Sequence, residues 1–149
     1  MAISILPATL ADVRTMMPTG VAAFSSDPLN RAIENVDKAT PQQRQDYLEW
    51  RIARNEKRMT GPGKYWFKAV DADSGAILGY TGIVSPEAES ANGLPEGNEP
   101  ELNPATAAIM NKELYAELER KLGEARERCM GGRKDYWCKC DPGSIVQRN

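Results

Sequence analysis

Residues 64–84 read KYWFKAVDADSGAILGYTGIV, and this stretch decides the fold. Lys64 to Val70 is rich in aromatic and β-branched side chains, which suit a pleated, half-buried surface. Asp71-Ala72-Asp73-Ser74-Gly75 supplies turn chemistry, because Asp and Ser side chains bond back to their own backbone and Gly tolerates a left-handed conformation. Ala76 to Val84 is the return strand. The expectation is an antiparallel hairpin. Gly79 and Gly82 lie inside its second strand, where glycine marks a bulge or a close backbone approach, or else relieves packing beside Trp66 and Tyr80.

On the N-terminal side, Thr40-Pro41-Gln42-Gln43 combines an N-cap, a proline at the first helical position and a glutamine at the third. The spacing predicts a helix running through Tyr47, Leu48, Arg51 and Ile52 to Met59, stopped by Gly61-Pro62-Gly63. Its basic residues Arg44, Arg51, Arg54, Lys57 and Arg58 read as an anion site or, since Asp46, Glu49 and Glu56 are interspersed, as a solvated face. Further back, Ala2 to Pro7 alternates weakly and reads as a first strand. Thr9 and Asp12 then form a capping box for a helix carrying Leu10, Val13, Met16 and Met17 at helical spacing. Pro18 and Gly20 are expected to end or kink that helix, Val21 to Phe24 to resume it, and Ser25 to Leu29 to form a loop.

On the C-terminal side, residues 85–104 hold four prolines, two glycines and five glutamates with no Lys or Arg, which reads as a polar connection. A helix is expected from Pro104 to Met130, capped by Asn103. Its stripe of Met110, Leu114, Leu118, Leu122, Ala125 and Cys129 is expected to pack on the sheet. Glu117–Lys121 and Glu124–Arg128 are spaced as i,i+4 ion pairs, and Gly131-Gly132 is a C-cap. Arg133 to Cys140 reads as the last strand. The fold class is therefore α+β, a mostly antiparallel sheet with flanking helices in one domain spanning residues 1–149.

Composition narrows the chemistry. At 149 residues the chain can bury a sizeable core. The net charge of −2 gives no drive toward nucleic acid or an anionic membrane. There is no long apolar run for a membrane span and no basic, apolar leader, so the expected location is cytoplasmic. The chain has no histidine, which excludes Ser-His-Asp and Cys-His mechanisms. The three cysteines, Cys129, Cys138 and Cys140, fall short of a four-ligand zinc set and read as free thiols, with no metal expected.

The order strand, helix, helix, strand, strand, helix, strand, carried by the phrases ATLADV (8–13), AAFSSDPL (22–29), KYWFKAVDADSGAILGYTGIV (64–84) and ELYAELERKLGEARERCMGGRKDYW (113–137), resembles the N-terminal half of the GNAT acyltransferase superfamily, in particular its fungal-type members. These phrases are architectural rather than catalytic. The resemblance implies an incomplete GNAT-like fold, acetyl-CoA as cofactor, and acyl transfer to a small-molecule or peptide amine, by positioning and by oxyanion stabilisation from strand N–H groups. It places Phe24, Trp66 and Tyr80 near the substrate groove as candidate substrate-binding residues, beside the plain reading that all three are core aromatics. It implies no catalytic residue that this sequence identifies.

The family's pyrophosphate loop follows a strand ending in an apolar-x-Val-x-Pro phrase. Cys138-Lys139-Cys140-Asp141-Pro142 stands where that phrase would, and Gln147-Arg148 is a shifted remnant of the loop without its glycines. The expectation is a chain truncated before the acetyl-CoA loop, with weak or absent cofactor binding and activity. Two accounts stay open: a shortened acyltransferase, or a non-enzymatic interaction module that self-associates as a homodimer through the strand edge at Tyr136–Cys140.

Overall fold

The computed structural model describes residues 2–86, 88, 109–131, 133 and 138–139. Among these residues the main elements follow in the order β1 (Ile3–Pro7), α1 (Val13–Phe24), α2 (Pro28–Ile33), α3 (Pro41–Met59), β2 (Lys64–Asp71), β3 (Ile77–Val84), α4 (Lys112–Met130) and β4 (Cys138–Lys139). The strands form one sheet in the order β1-β2-β3-β4, every neighbour antiparallel. The α+β class and the central hairpin stand as the sequence predicts.

The hairpin turn closes through Gly75, whose φ of +71° is the left-handed conformation the turn requires. Asp71 accepts hydrogen bonds from the backbone N–H of Asp73 (2.9 Å) and Ser74 (3.4 Å). The register then runs evenly from Lys64↔Val84 to Ala69↔Gly79 and shifts between Ala69 and Val70, which pairs with Ile77. The bulge therefore lies beside Gly79.

α1 and α3 cover one face of the sheet. α1 contacts β3 and α3, and α3 contacts β2. Between them sit Val13, Met16, Met17, Ile52, Trp66 and Tyr80, all buried, with Ala8, Leu48, Met59 and Ile77 packed around them. Both capping boxes form. The Asp12 carboxylate accepts from the Thr9 N–H at 2.8 Å and the Thr9 hydroxyl at 2.9 Å, and Thr40 and Gln43 exchange bonds at 2.8 and 3.2 Å.

Three expectations are corrected. α1 runs unbroken through Pro18 and Gly20 to Phe24. Proline removes one hydrogen bond from a helix, and here the burial of Met16, Met17 and Gly20 on the sheet outweighs that loss. Asp27-Pro28, expected as loop, starts α2, with the Asp27 side chain accepting from the Asn30 N–H at 2.8 Å. α4 does not lay its stripe on the sheet. It begins at Lys112 with Asn111 as cap, buries none of its residues, and leaves Leu122 59% exposed. Its partners lie at its start, where Glu34 and Met110 form a β-bridge and the backbone of Asn35 and Asn111 bonds to Ile109 and Ile33. Of its expected ion pairs, Glu117–Lys121 forms at 3.5 Å, while Glu124 bonds back to Arg120. The Asn103 cap and the first turn at Pro104 lie outside the described residues. Gly131 ends the helix in the left-handed conformation, φ +56°.

Candidate functional site

Trp66 and Tyr80 stand on adjacent strands and share the face under α1. Their cross-strand partners are Gly82 and Lys68, so the two rings are diagonal neighbours. They stack with centroids 6.4 Å apart and planes 27° apart. Two glycines make room for them. A Cβ on Gly82 would fall 2.7 Å from Trp66 Cε2, and one on Gly20 would fall 2.4 Å from the Tyr80 hydroxyl oxygen.

The surroundings of the pair are partly polar. The Tyr80 hydroxyl donates to Met17 Sδ at 3.9 Å. Asn55, on the α3 face that also carries Ile52, donates from Nδ2 to Met17 Sδ at 3.1 Å and to the Arg51 carbonyl at 2.9 Å. Asn55 Oδ1 and Trp66 Nε1 are buried with no hydrogen-bond partner among the described residues. Buried polar atoms are nearly always paired, so an acceptor and a donor left over beneath α1 and α3 set this region apart from an ordinary apolar core.

Of the three residues expected at the substrate groove, the structure brings Trp66 and Tyr80 together, 4% and 5% exposed. Phe24, the last residue of α1, is half-buried and stands outside their cluster.

A second cluster was read from sequence as an anion site or a solvated basic face. Tyr47, Trp50, Arg51 and Arg54 recur along one side of α3. Tyr47 and Trp50 are buried with Ala39 and Ile109, their rings stacked 5.7 Å apart. The Arg51 guanidinium lies 5.8 Å from the Tyr47 ring centroid, and that of Arg54 5.2 Å from the Trp50 ring. Arg51 pairs with Glu34 at 3.4 Å, with both side chains largely buried, and Arg54 donates to the Tyr115 hydroxyl at 3.2 Å. Burial first, then the Glu34 charge, push the Tyr47 phenol well above its usual range, so it stays a neutral hydroxyl. Aromatics at i and i+3 followed by Arg at i+4 and i+7 set all four on one side of the helix. In chemical terms the cluster is a clasp, joining α3 to α2 and to the start of α4.

Near the sheet, Lys68 pairs with Asp12 at 2.5 Å. Hydrogen bonds from Lys68 and then from the Thr9 backbone hold the Asp12 carboxyl below its ordinary value. It is thus an ionised acceptor, unsuited to donate a proton at neutral pH. Exposed Cys129 lies on α4, away from the aromatic pair in sequence and element.

At the far edge, β4 pairs with β3 through Ile83↔Lys139 and Val84↔Cys138. The expected loop remnant Gln147-Arg148 lies outside the described residues.

No protein-family model matches the chain, and no curated protein matches it. Among solved structures, the chain is similar to one titled histone acetyltransferase HPA2 and related acetyltransferase, from Corynebacterium glutamicum, at 17% identity. The match covers 87% of this chain and 84% of that one, with a TM-score of 0.41. At that level the architecture rests on the chain's own strands and helices.

Proposed function

We propose that this chain is a GNAT-type acyltransferase homologue that transfers an acetyl group from acetyl-CoA to an amine. One arrangement carries the reading: an all-antiparallel sheet β1-β2-β3-β4 whose central hairpin is roofed by α1, with Cys138–Lys139 pairing beside β3. Fold alone does not fix function. The support here is that strand order together with the phrases quoted above.

In this reading the chain's residues position the acceptor. Trp66 and Tyr80 form the floor under α1, and Phe24 stands at the end of α1 where the chain turns toward α2. The chemistry acetyl-CoA would supply is an activated thioester. Without histidine, a proton leaving the amine passes to water or a carboxylate.

Thiol release from acetyl-CoA, measured at millimolar cofactor against a panel of small and peptide amines, tests the proposal. A slow, amine-dependent release above the protein-free rate is expected. Release that no amine changes would overturn it and leave the interaction-module reading. The edge assigned to that module, Tyr136–Cys140, lies outside the described residues apart from the backbone of Cys138–Lys139.

A further inference from the structure

The sheet has a second edge, at β1, and its geometry is fully described. Ala8 N–H bonds to the Trp66 carbonyl and Ala72 N–H to the Ala2 carbonyl, each at 2.8–2.9 Å. With the antiparallel register Ser4↔Val70 and Leu6↔Lys68 between them, the even-numbered residues of β1 spend their backbone groups on β2. Ile3 and Ile5 therefore point their N–H and C=O groups away from the sheet. Among the described residues no strand pairs with that side. The same two residues leave their side chains 50% and 65% exposed, on the face opposite buried Val70.

Natural edge strands are normally guarded by a charge, a bulge or a covering element. Ala2 to Pro7 has no charged side chain, and β1 pairs without a register shift. Only Pro7 interrupts it, since its outward nitrogen carries no hydrogen.

We propose that β1 pairs antiparallel with β1 of a second copy of this chain, about a two-fold axis at Ser4. That axis sets Ile3 opposite Ile5 of the second copy and Ile5 opposite Ile3. Each such pair exchanges both of its N–H···O bonds, because both members point outward. The four isoleucine side chains meet on one face of a continuous sheet. Charge permits the seam. The carboxylate in the same row, Asp71 beside Ile3, finds Ala69 of the second copy at the far end, so like charges do not face each other.

The seam is short. With only Ile3 and Ile5 of each copy exchanging backbone bonds, the dimer is weak, with a Kd on the order of 100 μM. This inference does not depend on the acyltransferase reading.

Residue-resolved amide exchange under reducing conditions tests it on the unaltered chain. The Ile3 and Ile5 amides should exchange about threefold more slowly at 1 mM than at 50 μM, following the monomer fraction at that Kd, while Ser4 and Leu6 stay constant. Sedimentation should show the dimer over the same range. Ile5→Lys should abolish it, and so should Ile5→Pro, which removes only an outward donor. Trp137→Lys should leave it intact. Concentration-independent exchange at Ile3 and Ile5, a monomer at 1 mM, or a dimer lost in Trp137→Lys but kept in Ile5→Lys would each overturn the proposal.

Discussion

Replacing Gly82 with alanine should destabilise the protein, and replacing Gly79, three residues away on the same strand, should not. At Gly82 the added methyl would lie 2.7, 2.8 and 2.9 Å from three atoms of the Trp66 indole, distances that real Cβ atoms do not occupy. The indole has little freedom to retreat, since it is buried and stacked on Tyr80. Overpacking of this kind costs about 1–3 kcal/mol. Removing glycine from a strand returns about 0.5–1 kcal/mol of backbone entropy. The net expectation for Gly82→Ala is a loss of up to about 2.5 kcal/mol. At roughly 2–4 °C per kcal/mol for a chain of this size, that is a fall in Tm of up to about 10 °C. At Gly79 nothing lies within 4 Å of the methyl and φ is not positive, so only the entropy remains and the variant gains about 0.4–1 kcal/mol. Urea melts of both variants beside the parent, with m held in common, give the two differences. A Gly82→Ala variant at least as stable as the parent would refute the packing of Trp66 over β3, and with it the floor under α1.

Leu122→Ala, on the exposed side of α4, should change stability by less than about 0.5 kcal/mol in a urea melt. A larger loss would show the stripe to be covered. Trp50→Ala should cost about 3–5 kcal/mol, because the ring is buried and stacked on Tyr47. Asp12 carries a pH signature. Its carboxyl is held below its ordinary value, chiefly by Lys68, so its contribution is complete above about pH 5 and is lost as pH falls through the folded-state value. The unfolded chain binds the extra proton there, and stability drops with acid. Asp12→Asn should flatten that fall below about pH 5, measured by denaturant melts at each pH, and an unchanged slope would remove Asp12 from the explanation.

The parts of this fold that the sequence disclosed are those fixed by neighbours in the chain. Thr40-Pro41-Gln42-Gln43 states the start of α3 in four residues, and the Asp71–Gly75 turn states the hairpin. The parts it concealed depend on distant partners. Pro18 sits inside α1 because the helix is pressed on β3, which no local rule reports. The apolar stripe of α4 fits a sheet as well as it fits solvent, and only the β-bridge at Glu34–Met110 decides where the helix is tied. In β1 the alternation marked a strand but gave its faces no direction, and Ile3 and Ile5 turn outward. Of the candidate site, Trp66 and Tyr80 were named through the resemblance, and their packing was readable beside Gly79 and Gly82. The Tyr47–Trp50–Arg51–Arg54 cluster was not, because arginine on a helix reads as solvated until a buried ring and a carboxylate are seen against it.

Calorimetric titration of the 149-residue chain with acetyl-CoA tests the central claim most directly. The proposed acyltransferase reading rests on the sheet β1-β2-β3-β4 and the α1 helix that roofs its hairpin. It predicts saturable binding with a Kd between about 10 μM and 1 mM, roughly 7 to 4 kcal/mol of binding free energy. No saturable binding at millimolar acetyl-CoA would contradict it.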